Sequence, residues 1–305
     1  MRNQADFSTL VEQAMRVAGR QHMRPVIEKE LLHYDILFAL EQAGLLQGLA
    51  FQGGTALRIC HGAPRYSEDL DFAGGTAFGS QELLAIKSCI EHYIGQRYGL
   101  DVQVREPDAL RSEPEYEGIR VDKWQVSVIT APERRDVPRQ RIKIEVASVP
   151  AYTREPRALI NHYDFLPDGY GDLLILVETL PEIMADKLVS LVNCTRYVRY
   201  RDIWDLRWLV QQGAVLDMAL LQRKLRDYRA DGYLANLDAF IGQVRPVIHG
   251  KAFADTLGRF IPADVQARTL GQTRFLDFLA GETVGLLQQV QRALRGEAAA
   301  QDFLI

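Results

Sequence analysis

The chain has 305 residues and a formal net charge of −4, and 47% of its residues are hydrophobic and 25% charged. This composition is that of an ordinary globular protein, and it excludes a disordered chain, a collagen-like repeat and a disulfide scaffold. The slight negative charge argues against a protein that coats nucleic acid over its whole surface, but it leaves room for a local basic groove. At roughly 150 residues per domain, the length predicts about two domains.

Targeting signals and cysteines indicate the compartment. Residues 1–20 lack the apolar core of a signal peptide, and no later stretch approaches the ~18 consecutive apolar residues that span a bilayer. The three cysteines are odd in number and far apart, which favours neither disulfide pairing nor a metal knuckle. We therefore expect a protein of the reducing cytoplasm without membrane association.

Apolar residues at helical spacing predict a first helix over residues 26–47. A short strand end, a glycine turn and the start of a second helix follow over residues 51–58. In the next segment, residues 67–72, apolar side chains alternate with Asp69 and Asp71. A strand at this position would therefore present both carboxylates on one face.

The middle of the chain alternates between helical and strand patterns. Residues 82–98 have helical spacing and are followed by Gly99, a residue type that often terminates helices. Polar and apolar residues then alternate in three stretches, around residues 102–104, 124–128 and 142–146. These stretches predict three strands of a half-buried antiparallel sheet.

The pattern becomes helical near residue 178 and stays so to the end. Thr179 followed by Glu182 predicts a capping box at the start of the first of these helices. The sequence therefore predicts two domains. Residues 1–177 would form an α/β domain with a mixed, largely antiparallel sheet and flanking helices, and residues 178–305 would form a helical C-terminal domain.

A glycine turn followed by a carboxylate pair is the chemically informative pattern. Asp69 lies fourteen residues after Thr55, with a predicted helix in between, and Thr55 directly follows Gly53 and Gly54. About five acid-x-acid pairs are expected by chance in a chain of this composition, so context must supply the specificity. Glycines let backbone N–H groups at a helix N-terminus approach a phosphate, while two carboxylates on the next strand can hold Mg²⁺ against it.

Four motifs in this order resemble a known family. FQGGTALRICHGAPRYSEDLDF (51–72) resembles the hallmark of the AbiEii-type nucleotidyltransferase toxins, within the DNA polymerase β-like nucleotidyltransferase superfamily. RIKIEVAS (141–148) is similar to the family's strand with a third carboxylate, ETLPEIMADKLVSL (178–191) to its lysine-bearing helix, and RDIWDL (201–206) to its aspartate motif. The resemblance extends over roughly residues 26–212 and implies a polymerase β-like fold.

The resemblance also implies a metal site. Asp69 and Asp71 would bind two Mg²⁺ ions, and Glu145 would complete the site that activates the attacking hydroxyl. This is two-metal phosphoryl transfer, in which the ions stabilise the attacking and leaving oxygens.

A nucleotide site follows from the same resemblance. Lys187 would neutralise the charge of an NTP, Asp202 would orient that lysine or the nucleotide, and Ser67 would be an auxiliary hydroxyl. Where the family more often has lysine, this chain has Gln52. The implied nucleotide-binding residues are Gly53, Gly54, Thr55, Ser67 and Lys187.

The implied activity is that of a Mg²⁺-dependent toxin of a toxin–antitoxin system. It would transfer NMP from an NTP to an RNA acceptor, the 3′ end of tRNA, and its protein partner would be a cognate antitoxin. Three alternatives remain open: AMP transfer to a protein, as in small nucleotidyltransferase antitoxins, a metal-dependent glycosyltransferase, and a non-catalytic nucleotide-binding regulatory module. The long helical C-terminal part disfavours the first, the position of the Asp-x-Asp pair the second, and the joint presence of three carboxylates the third.

Structural roles compete with these assignments. Glu145 is also compatible with a solvated sheet-face residue, Lys187 with a polar helix face, and Asp202 with a helix N-cap worth ~1 kcal/mol. Two basic clusters adjoin the motifs and would either guide an RNA end or form solvated faces. These clusters are Arg134, Arg135, Arg139, Arg141 and Lys143, and Arg196, Arg199, Arg201 and Arg207.

Overall fold

The computed structural model describes residues 6–107, 119–134 and 136–297. The chain divides into two compact units. The first unit comprises residues 1–179 and the short return segment 259–263, and the second comprises residues 180–258 and 264–305. The first unit therefore ends within two residues of the predicted boundary, but it also includes a segment from far along the chain.

The first unit contains seven strands and four α-helices among its described residues. The helices are α1 Phe7–Met15, α2 Arg24–Gln42, α3 Gly53–His61 and α4 Ile86–Tyr98. The strands are β1 Ala50–Gln52, β2 Leu70–Ala73, β3 Val102–Arg105, β4 Val121–Val128, β5 Gln140–Ala147, β6 Arg154–Ala158 and β7 Leu174–Glu178. A 3-10 helix at Ser80–Leu83 precedes α4.

All seven strands form one sheet in the order β3-β4-β5-β2-β1-β7-β6. The pairs β2/β5 and β1/β7 are parallel, and the other four neighbouring pairs are antiparallel. The predicted mixed, largely antiparallel sheet with flanking helices is thereby confirmed, including the three antiparallel strands β3, β4 and β5. The strands β6 and β7 had no counterpart in the sequence prediction.

The alternation in β4 and β5 separates two faces of the sheet. Val126, Ile142 and Ile144 are buried in the hydrophobic core, and α2 packs against β5. The residues between them point to the opposite face, because successive side chains of a strand alternate. One face of this part of the sheet is therefore apolar and covered, while the other is polar.

Glycines mark the ends of α2 and α4 more accurately than the spacing of apolar residues does. Gly99 adopts a left-handed conformation with φ of 68° and terminates α4, as predicted. The first long helix ends at Gln42, five residues before the predicted end, because the backbone turns at Gly44 with φ of 70°. Glycine adopts this conformation without the steric cost that other residues incur.

A buried carboxylate network fixes α2 against α4. Asp35 is fully buried, accepts hydrogen bonds from the hydroxyls of Tyr170 at 2.6 Å and Tyr98 at 2.8 Å, and pairs with Arg97 at 3.1 Å. Burial raises the pKa of Asp35 to about 6, although Arg97 and the two hydroxyls act in the opposite direction.

The second unit is helical throughout its described secondary structure, as predicted. Its helices are α5 Leu180–Asn193, α6 Tyr200–Gln211, α7 Met218–Asp227, α8 Tyr233–Ile248, α9 Lys251–Gly258, α10 Ala263–Arg268 and α11 Thr273–Leu294. Within this unit, α5 packs against α6, α7 and α8, and α8 packs against α11. None of the helices that the structure describes is long and apolar enough to cross a bilayer.

A fully buried lysine organises the start of the second unit. Lys224 of α7 has no exposed surface, and its ammonium lies 2.8 Å from Glu182 and 3.0 Å from Asp186, both on α5. A buried charge is tolerated only when it is paired, so these two carboxylates hold α7 on α5. Sequence analysis missed Lys224 because it lies in an ordinary amphipathic pattern.

Candidate active site

Two carboxylates meet on neighbouring strands of the first unit. The parallel pairing of β2 with β5 places Asp71 directly opposite Glu145. Both side chains are partly buried and lie on the polar face of the sheet. The expectation that Glu145 lies on a strand next to the Asp-x-Asp pair is therefore met by the geometry.

Asp69 lies just before the strand rather than within it. The strand β2 begins at Leu70, and one oxygen of the Asp69 carboxylate accepts a hydrogen bond of 3.0 Å from the backbone N–H of Lys143. The prediction of a strand that includes Asp69 was thus wrong by one residue. This hydrogen bond fixes the Asp69 side chain at the point where β2 enters the sheet beside β5.

The segment before β2 is anchored from two helices. The hydroxyl of Thr55 donates a 2.5 Å hydrogen bond to the carbonyl of Asp69. On α2, the Nε2 atom of His33 lies 3.0 Å from the carbonyl of Glu68, and the ammonium of Lys29 lies 2.9 Å from the Glu68 carboxylate. These contacts restrict the backbone at Asp69, as a site that must hold its carboxylate in one position requires.

Burial lowers the pKa of His33 to about 4, so this anchor is uncharged at neutral pH. Sequence analysis missed His33 and Lys29. They are far from the motif in the chain, and no local pattern connects them to it.

Gly53 and Gly54 leave space for neighbouring side chains, which a larger residue at either position would displace. A Cβ atom on Gly53 would lie 2.6 Å from the Asp71 carboxylate, and Gly53 has φ of +77°. A Cβ atom on Gly54 would lie 2.6 Å from the guanidinium of Arg65 and 2.8 Å from the hydroxyl of Ser67. Both glycines are therefore required by close packing at the start of α3, which is also where a helix offers its N–H groups to an anion.

The positions of Arg65 and Thr55 change how the glycine turn at the start of α3 is interpreted. Arg65 is buried, donates a 2.6 Å hydrogen bond to the carbonyl of Tyr66, and brings a cation beside Gly54 that sequence analysis did not identify. Thr55 is also buried, and its hydroxyl is directed at Asp69. The side chain of Thr55 thus positions a carboxylate, and the backbone at the start of α3 remains as the element that can face a phosphate.

Glu145 pairs with a lysine that sequence analysis missed. The antiparallel pairing of β4 with β5 places Lys123 opposite Glu145, and the ammonium lies 3.2 Å from the carboxylate. Both side chains are largely buried, with 8% and 15% of their surface exposed. Across the sheet the row therefore reads Lys123, Glu145, Asp71 and Gln52, one residue from each of four neighbouring strands.

Carboxylate oxygens are the ligands that divalent cations such as Mg²⁺ prefer. Asp69, Asp71 and Glu145 fit this requirement by type, and the register brings Asp71 and Glu145 to adjacent positions. Within the described residues, however, no group of three or more acidic, histidine or cysteine side chains is arranged to hold a metal ion. The three carboxylates are thus of the right type for a metal, and in this structure Glu145 is paired with Lys123.

The second unit holds the other predicted residues. The ammonium of Lys187 on α5 lies 2.9 Å from Asp202 and 2.7 Å from Asp205, both on α6. Asp202 also accepts hydrogen bonds from Arg199 at 2.6 Å and from the hydroxyl of Ser190 at 2.8 Å. All three members of the Lys187 ion pair are buried, so the alternative of a solvated polar helix face is wrong for Lys187.

Asp202 is not the cap of its helix, since α6 begins two residues earlier and is capped at Arg199. Burial by itself would raise the pKa of Asp202, but Lys187 and Arg199 hold that pKa well below its usual range. The resemblance assigned a role to Asp202 alone, yet both Asp202 and Asp205 contact the lysine. Their spacing of three residues on one helix was the signal that could have identified the pair.

Three arginines of the two predicted basic clusters contact acidic or aromatic side chains. Arg134 pairs with Asp136 at 2.6 Å, and Arg135 lies outside the described residues. In the second unit, Arg199 pairs with Asp202, and the guanidinium of Arg207 lies 4.7 Å from the centre of the Trp204 ring. The clusters are therefore not uniform solvated faces.

The mixed sheet presents adjoining carboxylates beside the glycine-started helix α3, an arrangement that suits nucleotidyl transfer. The family described as "Nucleotidyl transferase AbiEii toxin, Type IV TA system" matches residues 35–283. That range is most of the chain, and the chain belongs to this family. The resemblance inferred from the four motifs is thereby confirmed.

Two solved structures are similar over nearly the whole chain. MenT4, a nucleotidyltransferase toxin from Mycobacterium tuberculosis, has 18% sequence identity and a TM-score of 0.56, with 95% of this chain and 99% of that chain covered. JHP933 from Helicobacter pylori has 18% identity and a TM-score of 0.45, with 89% and 94% covered. At this identity the first likeness supports the fold. A comparison with curated proteins found no match.

Proposed function

We propose that the chain transfers NMP from an NTP to the 3′ end of tRNA in a Mg²⁺-dependent reaction. The observation that carries this proposal is the register of β2 and β5, which sets Asp71 opposite Glu145 beside the glycines at the start of α3. Membership of the AbiEii toxin family supports the nucleotidyl-transfer class. The metal, the acceptor and the donor nucleotide are the proposed parts.

Asp69, Asp71 and Glu145 would hold two Mg²⁺ ions, which supply charge stabilisation for the attacking and leaving oxygens of an in-line displacement. The residues around them position these carboxylates. Thr55 and the backbone of Lys143 fix Asp69, and Gly53 leaves room for Asp71 against the start of α3. The backbone N–H groups at that helix start would face the triphosphate, with Ser67 beside Gly54.

Lys187 would act on the triphosphate as a point cation. Its two aspartate partners fix the position of the ammonium. Asp202 would then be a positioning residue, and Asp205 shares that role.

The wider proposal concerns biological context. A type IV toxin–antitoxin family implies a cognate antitoxin as the protein partner, and a reaction with RNA and NTP would take place in the cytoplasm. Modification of a tRNA 3′ end would block aminoacylation and thereby arrest growth.

The test is incubation of the purified chain with Mg²⁺, total bacterial tRNA and each α-labelled NTP in turn. We expect label on tRNA with the wild type and loss of that label with Asp71→Asn. Asp101→Asn, which changes an exposed carboxylate outside the row, is the matched control and should retain transfer. Circular dichroism of all three proteins checks that they are folded.

Each other outcome points to a different function. Label on a protein instead of RNA would indicate AMP transfer to a protein and contradict the RNA acceptor. Nucleotide binding without transfer to any acceptor, by wild type and Asp71→Asn alike, would indicate a non-catalytic nucleotide-binding module.

A further inference from the structure

The polar face of the sheet continues beyond the carboxylates, along β5 and across β4 to the β3 edge. The pairing of β3, β4 and β5 forms two further rows on this face. One row contains Arg105, Gln125 and Lys143, and the next contains Gln103, Ser127 and Arg141. We call these six residues the cationic sheet face.

The residues of this face are on the same side as Glu145. Lys143 and Arg141 precede Glu145 by two and four positions along β5, and side chains at such intervals share one face of a strand. Arg105 and Arg141 are exposed and Lys143 is half-buried, whereas the intervening Ile142 and Ile144 are buried. The exposed cations are thus a continuous extension of the carboxylate row.

We propose that the cationic sheet face binds the phosphate backbone of the RNA acceptor and leads its end to Asp71 and Glu145. The inference rests on the proposed RNA-modifying function. From Arg105 on β3 to Asp71 on β2 the polar side of the sheet extends over three strand spacings, about 14 Å in all. That span accommodates several nucleotides of a single strand whose end reaches the carboxylate row.

Chemistry favours a nucleic acid backbone over a protein on this surface. Arginine presents planar donors that match phosphate, and the amides of Gln103 and Gln125 add neutral donors between the cations. Protein interfaces have an apolar centre rich in aromatic residues. Among the described residues, the exposed large hydrophobic side chains lie elsewhere, so this face lacks such a centre.

Charge also gives the face a direction. Lys143 and Arg141 lie two and four residues before Glu145 on the same strand β5, and Arg105 shares the row of Lys143 from β3, so these cations are displaced along the strand direction from the acids Asp71 and Glu145. Phosphates are attracted to the first group and repelled by the second in the absence of metal. An RNA strand would therefore bind with its backbone on the cations and only its terminal hydroxyl near the carboxylates.

The test uses the double variant Arg105→Gln, Arg141→Gln. Both side chains are exposed, so the fold should be retained. The control is Arg154→Gln, Arg157→Gln, which removes the same charge from β6 at the opposite edge of the same sheet. Fluorescence anisotropy measures the binding of labelled total tRNA at several salt concentrations, and a fluorescent NTP analogue measures nucleotide binding.

We expect the Kd for tRNA to rise at least tenfold in the first double variant and to change less than twofold in the control. The slope of log K against log salt should decrease by about 1.4 when two single-strand phosphate contacts are lost. Binding of the NTP analogue should stay unchanged in both.

Two results would overturn the inference in different ways. If the wild type transfers nucleotide to tRNA but the first double variant binds tRNA as the wild type does, the cationic sheet face is not the RNA path and the proposed function stands. If the wild type neither binds nor modifies RNA and labels a protein instead, the proposed function fails and the inference fails with it.

Discussion

Replacement of Lys187 by methionine separates its structural from its chemical role. The ammonium lies within 3 Å of both Asp202 and Asp205, and the exposed fractions of the three side chains are 7%, 6% and 2%. Removal of one partner from a buried ion pair leaves an uncompensated charge and typically costs about 3–5 kcal/mol. Arg199 still contacts Asp202, so most of this cost would arise at Asp205.

The assay is urea unfolding followed by tryptophan fluorescence. Trp204 and Trp208, two of the three tryptophans of the chain, are buried in α6 beside the ion pair and report on the second unit. We expect Lys187→Met to lower the free energy of unfolding by about 3–5 kcal/mol, and Lys187→Arg to recover a large part of the loss because it retains the charge.

The pH dependence provides a second readout. Because the folded pKa of Asp202 is depressed, the stability it contributes is present above its unfolded pKa and is lost as the pH falls into the acid range. Without Lys187 that acid-side loss should be smaller. An unfolding free energy of Lys187→Met within 1 kcal/mol of wild type would refute the argument from burial, and the lysine would then be free to act on substrate alone.

Three further outcomes follow from the packing and the charges. Gly53→Ala should abolish nucleotide transfer in the labelled-NTP assay. A left-handed backbone costs alanine about 1–2 kcal/mol, and the new Cβ atom would displace the Asp71 carboxylate. Transfer at the wild-type level by this variant would contradict the required close packing. Asp35→Asn should flatten the dependence of stability on pH. With a folded pKa of about 6, native Asp35 retains a proton that the unfolded state loses, so the wild-type stability should fall by roughly 2 kcal/mol as the pH rises from 4 to 7; the same dependence of the unfolding free energy on pH in both proteins would exclude this cause. Lys224→Met, at a fully buried site, should lower the free energy of unfolding in urea by about 3–5 kcal/mol. Lys251→Met, at an ion pair whose side chains are 85% and 58% exposed, should leave the urea midpoint unchanged. Equal effects of the two substitutions would contradict the dependence on burial.

Local patterns in the sequence determined the secondary-structure elements and most of the carboxylate site. Alternation in β4 and β5 follows from one covered and one polar sheet face, so the strands could be predicted from residue order alone. The glycines at the start of α3 and the pair Asp69 and Asp71 lie within twenty residues of one another, and the motif is therefore visible in the chain. The family followed from four such local motifs.

Tertiary structure decided which side chains meet. Lys123 reaches Glu145 because β4 and β5 pair in one register, and a shift of one residue would turn Lys123 to the covered face. Arg105 joins the cationic sheet face for the same reason, although it lies 36 residues before Arg141 in the chain. Register is a property of the pairing of two strands, so the sequence of one strand by itself does not show which residue of its neighbour lies opposite.

Burial is the other property that only folding defines. Lys187 and Lys224 look like ordinary helix lysines in the sequence, and packing of α6 and α7 on α5 brings each of them to two carboxylates. A charge affects stability most strongly when it loses its water, and that loss depends on neighbours far away in the chain. The sequence thus determined which chemical groups this protein has, and the fold determined which of them are paired.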